Sequence, residues 1–166
     1  MKYLYLVRHA KSSWDDLSLE DAKRPLNDRG MRDAPRMAKR LKEKEVTIDQ
    51  MLSSHAVRAL ATCRNFSNVL RYPEENIIIQ PSLYHASEDG MLQVVHGLND
   101  TLDTVMIVGH NPGLTDFANS LTGELIANVP TSGIVAIAFD VDSWKDITWG
   151  EGKLMFFDYP KSRVRE

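Results

Sequence analysis

Two short segments of this sequence place a histidine directly after an apolar run. Arg8 and His9 follow the run at 4–7, and His110 follows "TVMIVG" at 104–109. Arginine side chains bind phosphate oxygens in a bidentate manner and keep their charge at pH 7. A histidine held neutral by positive neighbours can attack phosphorus, and a second, protonated histidine can stabilise the charge that develops during transfer. These residue types therefore indicate phosphoryl chemistry through a phosphohistidine.

Other polar residues follow two further strands that the sequence predicts. Ser53 and Ser54 end one strand and lead into Arg58 in the first turn of a helix, and Tyr84 and His85 follow another. Ligands of parallel α/β sheets bind outside the carboxyl ends of the strands, so we expect all these residues to line one crevice. Arginine side chains and free helix-start amides then supply the positive charge, and no metal ion or other cofactor is required.

The pattern of apolar residues predicts the scaffold that positions these residues. Strands are predicted at 2–7, 49–53, 76–80, 104–109, 133–139 and 153–158. Helices are predicted at about 27–44, 56–70 and 88–98, with a fourth ending at Gly123. This alternation predicts an α/β fold, a three-layer α/β/α sandwich with a mostly parallel six-stranded sheet. The turn predicted at 149–153 suggests that one strand near the C-terminus is antiparallel.

The first predicted helix carries three expectations about single positions. Asn27 precedes the helical pattern and is a suitable N-cap. Pro35 lies within the pattern and is expected to kink the helix or to mark a late start. One apolar stripe is expected to face the core, formed by Met31, Ala34, Ala38 and Leu41.

Length and composition restrict the class of protein. The 166 residues carry 43% hydrophobic residues, a net charge of -3 and one cysteine. We expect a single domain over 1–166 and no nucleic-acid or membrane partner, because such partners select a basic face. Cys63 excludes an intrachain disulfide and fits a reducing compartment, so a cytoplasmic location is expected. No apolar stretch approaches the roughly 18–20 residues that cross a bilayer.

Several motifs resemble one known family when they are taken together and in order. The motifs are "LVRHAKSSW", "RPLNDRG", "SSHAVRALATC", "VGHNPGL" and "VPTSG". They resemble the histidine phosphatase superfamily, and the Arg-His-Ala variant and "LYHAS" in a short chain resemble its SixA-like phosphohistidine phosphatase branch. The resemblance implies a phosphoglycerate mutase-like fold. It also implies that His9 is the catalytic nucleophile and that Arg8, Arg58 and His110 bind the phosphoryl group.

The general acid is the point at which this sequence departs from the family. Larger relatives carry a glutamate shortly after the third strand, and His85 stands closest to that position here. An alkoxide leaves poorly without a proton, whereas a phosphohistidine has a labile P–N bond and an imidazole leaving group. The departure favours a phosphoramidate or another activated substrate. His85 is the candidate proton donor, with Glu88 and Asp16 as alternatives. Asp15, where relatives place a polar phosphate contact, is excluded by its negative charge.

These observations predict a cofactor-independent phosphatase that acts through a phospho-His9 intermediate, which water then hydrolyses. The expected substrate is phosphohistidine on a protein, such as a phosphotransfer domain. One alternative is a phosphatase for a small phosphoester or pyrophosphate. An alternative of another class is a non-catalytic module that binds phosphorylated proteins.

Overall fold

The computed structural model describes residues 1–163, which form a six-stranded sheet with helices on both faces. The strands are β1 (Lys2–Arg8), β2 (Gln50–Ser53), β3 (Ile78–Ile79), β4 (Thr104–Gly109), β5 (Ile134–Phe139) and β6 (Lys153–Asp158). The α-helices are α1 (Asp28–Glu43), α2 (Val57–Val69), α3 (Glu88–His96) and α4 (Gly113–Thr122). Short 3-10 helices span Asp21–Lys23, Glu74–Asn76, Pro81–Leu83, Trp144–Asp146 and Pro160–Arg163. None of the helices over 1–163 is long and apolar enough to cross a membrane.

The strand order brings the predicted site residues to one edge of the sheet. The order is β3-β2-β4-β1-β5-β6, and the first four strands are mutually parallel. Within the described residues β5 alone is antiparallel, pairing with β1 and β6, which confirms the predicted topology. Arg8 pairs with Gly109 and Ser53 pairs with Val108. The residues that follow β1, β2 and β4 therefore lie next to one another at the carboxyl edge of the sheet.

Side chains of β1 alternate between two hydrophobic cores, one on each face of the sheet. Leu4 and Leu6 lie in one hydrophobic cluster, and Tyr5 and Val7 lie in the other. Such alternation follows from the two-residue period of a strand. The first cluster includes Met91, Val95, Leu114, Phe117 and Leu121 of α3 and α4. The second includes Met37, Ala38, Leu41, Ala59, Cys63 and Phe66 of α1 and α2. These two cores confirm the α/β/α sandwich.

Helix α1 confirms one of its sequence expectations and corrects two. The Asn27 side chain accepts a hydrogen bond from the Gly30 amide at 2.9 Å, as expected of an N-cap. Of the two outcomes expected at Pro35, a kink or a late start, the late start is wrong, since α1 begins at Asp28 and contains Pro35 in its interior. Met31 is 56% exposed and does not belong to the buried stripe, in which Met37 is fully buried. The reason is that Gly30, rather than Met31, faces the protein where α1 begins.

The close approach of Gly30 to the backbone gives a testable stability prediction. A Cβ at Gly30 would lie 2.2 Å from the main-chain oxygen of Lys11, two residues beyond His9. We expect Gly30→Ala to lower the free energy of unfolding by about 1–3 kcal/mol, because the backbone must move apart. Gly90→Ala on α3 is the matched control. Its Cβ would meet nothing closer than 3.5 Å, so it should stabilise the protein by up to about 1 kcal/mol. Equal urea midpoints for the two variants would contradict this.

Candidate active site

His9 lies directly after β1 with its reactive nitrogen prepared by the backbone. The side chain is buried, and its Nδ1 lies 2.8 Å from the main-chain oxygen of Ala10. A carbonyl oxygen only accepts, so Nδ1 carries the proton and Nε2 keeps a lone pair. Arg58 donates through Nε towards this Nε2 at 3.4 Å. The lone pair of His9 Nε2 thus faces a fixed positive charge through a long, weak hydrogen bond.

The surroundings of His9 keep the imidazole neutral. They lower its pKa to about 4, chiefly because burial disfavours the charged ring. The hydrogen bond to Ala10 opposes this shift, and the charges of Arg58, Arg8 and Arg24 add to it. The ring is therefore neutral at pH 7, the state in which an imidazole can act as a nucleophile.

His110 follows β4 and faces His9 across the same space. The two ring centres are 5.1 Å apart, and Nη2 of Arg58 lies 3.5 Å from Nδ1 of His110. The other ring nitrogen, Nε2, lies 2.6 Å from Oγ of Ser54 at the end of β2. Because arginine only donates, Nδ1 of His110 is the acceptor and Nε2 donates to Ser54. Residues after β1, β2 and β4 and at the start of α2 therefore meet at one point.

His110 is neutral in the free site, whereas the sequence expectation concerns its protonated state during transfer. Its pKa is lowered to about 3, first by burial and then by His9, Arg58 and His85. The carboxylate of Asp21 raises this pKa without restoring the usual value. The free site thus holds a neutral His110. A bound phosphoryl dianion would favour the charged form, because an adjacent opposite charge raises the pKa of histidine.

Arg8 supplies the second guanidinium close to His9. Its Nη1 donates to the main-chain oxygen of Val129 at 3.1 Å. Burial lowers its pKa, and the charge of Arg58 lowers it further. The charge of Arg58 acts on Arg8, and an oxyanion bound beside both guanidinium groups would offset their repulsion. Arg8, His9, Arg58 and His110, the predicted site, are thus brought together.

Tyr84 and His85 form the more exposed wall of the site. The ring of His85 lies 4.0 Å from that of Tyr84 and 5.7 Å from that of His110, measured between centres. The His85 side chain is 56% exposed, and its Nε2 lies 3.5 Å from Oδ2 of Asp21. Its φ of 53° lies in the left-handed region, which most residues avoid. His85 thus lies at the rim of the site, on the solvent side of His110.

The two alternative proton donors have other hydrogen-bond partners. Glu88 accepts a hydrogen bond from Ser120 Oγ at 2.6 Å. Asp16 accepts from the amide and the hydroxyl of Ser18 at 3.0 and 2.5 Å, and this lowers its pKa. Asp15, which the sequence analysis excludes, is exposed. His85 also has a partner in Asp21, and it stays our candidate donor because its ring centre lies 5.7 Å from that of His110.

Asp21 is a site residue that the sequence analysis did not find. Its main-chain oxygen accepts from Nη1 of Arg58 at 2.6 Å, and its Oδ2 accepts from Nη2 of the same residue at 2.9 Å. Tyr84 also donates to Oδ2, and Arg24 donates twice to Oδ1 at 3.1 Å. Burial acts to raise the pKa of Asp21, but bonds from Tyr84, Arg58 and Arg24 hold it well below its usual range. The sequence does carry one signal of this contact, because Asp21 and Arg24 are three residues apart, a spacing that favours an ion pair.

The low pKa values of the two site histidines can be measured directly. We expect His9 and His110 to remain neutral down to about pH 5, because their pKa values lie near 4 and 3. Their ¹⁵N chemical shifts in a histidine-labelled sample should show the neutral tautomers over this range. Protonation of His9 with a midpoint near 6.5 would contradict the proposed environment.

Sequence comparison identifies the family of this chain. The sequence profile of the histidine phosphatase superfamily (branch 1) matches residues 4–84. An uncharacterized chloroplastic protein of Arabidopsis thaliana is 36% identical over 151 residues, which cover 86% of this chain and 69% of the relative. The chain belongs to the histidine phosphatase superfamily, and this makes it a phosphatase of the hydrolase class.

Known structures support the same assignment. A SixA protein from Agrobacterium tumefaciens superposes with a TM-score of 0.81 at 27% identity, over 96% of this chain and 98% of the other. The protein histidine phosphatase SixA complexed with tungstate gives a TM-score of 0.82 at 24% identity, over 95% and 97% of the two chains. The fold is therefore the phosphoglycerate mutase-like α/β fold of SixA, as expected.

Proposed function

We propose that this phosphatase hydrolyses phosphohistidine on other proteins through a covalent phospho-His9 intermediate. The observation that carries the proposal is the neutral His9, whose free Nε2 lies 3.4 Å from Nε of Arg58. The likeness to SixA structures at TM-scores above 0.8 supports the substrate class. The proposal treats residues 1–166 as one catalytic domain that needs no metal ion or other cofactor.

In the first step, Nε2 of His9 attacks phosphorus and the bond from phosphorus to the leaving nitrogen breaks. The leaving imidazole takes the electron pair of that bond, and a proton on its ring makes this departure favourable. Arg8 and Arg58 bind the phosphoryl oxygens throughout, and His110 donates to them once the bound anion has favoured its protonation. These fixed donors stabilise the charge that spreads over the oxygens during transfer.

In the second step, water attacks the phosphorus of phospho-His9 and the P–Nε2 bond breaks. Both protons of the attacking water stay on the product, so orthophosphate leaves as H2PO4⁻ and the electron pair of the broken bond returns to Nε2 of His9. The bond from Nδ1 to Ala10 holds the ring in the same tautomer for the next cycle. The released imidazole needs little acid assistance in the first step. His85 is the residue we propose as proton donor where a poorer leaving group requires one.

The space around His85 fits the approach of a protein side chain. A cleft of about 550 Å³ adjoins His85 and extends between α3 and α4. Its lining residues include Ser87, Glu88, Asn111 and Asp116. The cleft borders His85 at the rim rather than His9, and we propose that the surface of a folded partner rests there while its phosphorylated side chain reaches His9. We therefore propose a phosphotransfer domain, rather than an enclosed metabolite, as the partner.

A comparison of kcat/KM for different substrates tests this proposal. Purified protein should be assayed with an isolated phosphotransfer domain carrying phosphohistidine, with p-nitrophenyl phosphate and with sugar phosphates. We expect kcat/KM for the phosphorylated domain to exceed the others by at least about 100-fold, because imidazole leaves without a strong acid. A preference for sugar phosphates of that size would establish the small-phosphoester alternative. Binding of the phosphorylated domain without phosphate release would establish the non-catalytic alternative.

The state of the single cysteine bears on the cellular location that we propose. Cys63 is buried, and burial raises the pKa of its thiol to about 12, so the side chain is an unreactive part of the core. A single unreactive cysteine is compatible with a reducing compartment. We accordingly propose that the protein acts in the cytoplasm, where phosphotransfer domains with labile phosphohistidine would be its partners.

A further inference from the structure

We propose that Asp21 is a positioning residue that fixes the guanidinium of Arg58 for transfer of the phosphoryl group. This inference rests on the proposed phospho-His9 chemistry and adds a residue to it. Two nitrogens of Arg58 are bound by Asp21, Nη1 by the main-chain oxygen at 2.6 Å and Nη2 by Oδ2 at 2.9 Å. Two of the three remaining N–H groups, on Nε and Nη2, are directed towards His9 and His110. Asp21 therefore holds one edge of the guanidinium so that the other edge faces the phosphoryl site.

Asp21 is itself held in place from the side away from Arg58. Its Oδ1 accepts from Nε and Nη2 of Arg24, both at 3.1 Å. Arg24 is 6% exposed and also donates to Oγ of Ser12 at 2.6 Å and to the main-chain oxygen of Ser13 at 3.2 Å. The carboxylate thus has little freedom to turn, and neither has the guanidinium that it binds.

Tyr84 provides a third connection, from a different part of the chain. Its hydroxyl donates to Oδ2 of Asp21, and its ring lies 5.3 Å from that of His110. One carboxylate therefore joins the segment between β1 and α1, the first turn of α2 and the segment before α3. In metal sites, removing a residue that holds a metal ligand in place commonly lowers affinity or activity by about 10- to 100-fold. We expect an effect of similar size when the contact that holds Arg58 is removed.

The negative charge of Asp21 distinguishes positioning from simple anion binding. A carboxylate beside an anion site opposes the binding of any oxyanion in the ground state. The Asp21 carboxylate is favourable only if the aligned Arg58 stabilises the transition state by more free energy than the carboxylate costs in substrate binding. Removing the charge should therefore lower kcat and leave the affinity for a static oxyanion unchanged or higher. A residue that merely stabilises the fold would not separate these two quantities.

The test compares Asp21→Asn with Glu20→Gln, a neighbouring exposed carboxylate, using p-nitrophenyl phosphate for turnover and tungstate as inhibitor. We expect Asp21→Asn to lower kcat by about 10- to 100-fold, with an inhibition constant for tungstate that stays the same or falls. Glu20→Gln should match the wild type in both quantities. A fall in kcat of less than tenfold, or a parallel loss of tungstate affinity, would overturn the assignment.

Tyr84→Phe is the second variant, since it keeps the charge and removes only the hydroxyl that binds Asp21. It should lower kcat by about threefold or more with unchanged tungstate affinity, and an unchanged kcat would overturn the assignment even if Asp21→Asn fails to fold. The assay separates this inference from the proposed substrate. Wild-type turnover of p-nitrophenyl phosphate without turnover of a phosphorylated phosphotransfer domain would refute the substrate and leave the Asp21 comparison intact. Wild-type turnover of neither would overturn both.

Discussion

Replacing His9 with alanine is expected to reduce phosphate release by at least about 10⁴-fold, because the covalent route is lost and nothing else in the site is positioned to attack phosphorus. The remaining arginines still bind the substrate, so KM for a phosphorylated phosphotransfer domain should change little. The measurement is release of inorganic phosphate from a phosphohistidine-carrying domain, with His96→Gln at the end of α3 as the control. His96 bonds to the main chain of Ile147 and lies outside the site.

Retention of more than about 1% of wild-type turnover by His9→Ala would be incompatible with a covalent mechanism at this residue. The variant also separates the enzyme from a binding module. A catalytic protein becomes a stable binder of the phosphorylated domain when His9 is removed, whereas a module binds in the same way with or without the ring. Equal binding and equally absent turnover in both proteins would support the module.

The second large effect is expected for Arg58→Ala, which should lower kcat/KM by about 10³-fold or more. The change removes the guanidinium that lies beside both His9 and His110 and leaves the Asp21 carboxylate without its charged partner. Arg58→Lys should recover only part of this loss, since an ammonium group has no planar fork. Steady-state kinetics with p-nitrophenyl phosphate gives the comparison.

Arg64→Ala is the matched control for Arg58, because it removes an arginine from the same helix. Arg64 is exposed and pairs with Glu74 at 3.9 Å, so its loss should leave kcat/KM within about twofold of the wild type. Similar losses for Arg58→Ala and Arg64→Ala would show that helix charge, rather than a positioned guanidinium, is responsible.

The strand ends were the part of this molecule most readily predicted from sequence. Each of β1 and β4 is an apolar run that stops at a histidine, and a parallel sheet brings such ends together without knowledge of any side-chain contact. Arg58 was predicted for the same reason, since α2 begins directly after β2. Local pattern and topology are sufficient here because the backbone itself delivers these residues.

The residues that were missed depend on three-dimensional contacts. Asp21 lies in a segment without apolar periodicity, and its role emerges only when Arg58 and Tyr84 arrive from other elements. Met31 was misassigned because the space beneath α1 is filled by Gly30 against a backbone oxygen. The neutral state of His110 depends on burial, which spacing along the chain does not reveal.

The central claim is that the phosphoryl group passes through His9, and trapping the intermediate tests it most directly. A substrate carrying ³²P on phosphohistidine should be mixed with the protein, quenched within milliseconds in alkali or denaturant, and the digest analysed by mass spectrometry. We predict a phosphoryl adduct on His9 that is stable to alkali, labile to acid and absent from His9→Ala. Rapid turnover with no adduct on His9, or an adduct on another residue, would contradict the account.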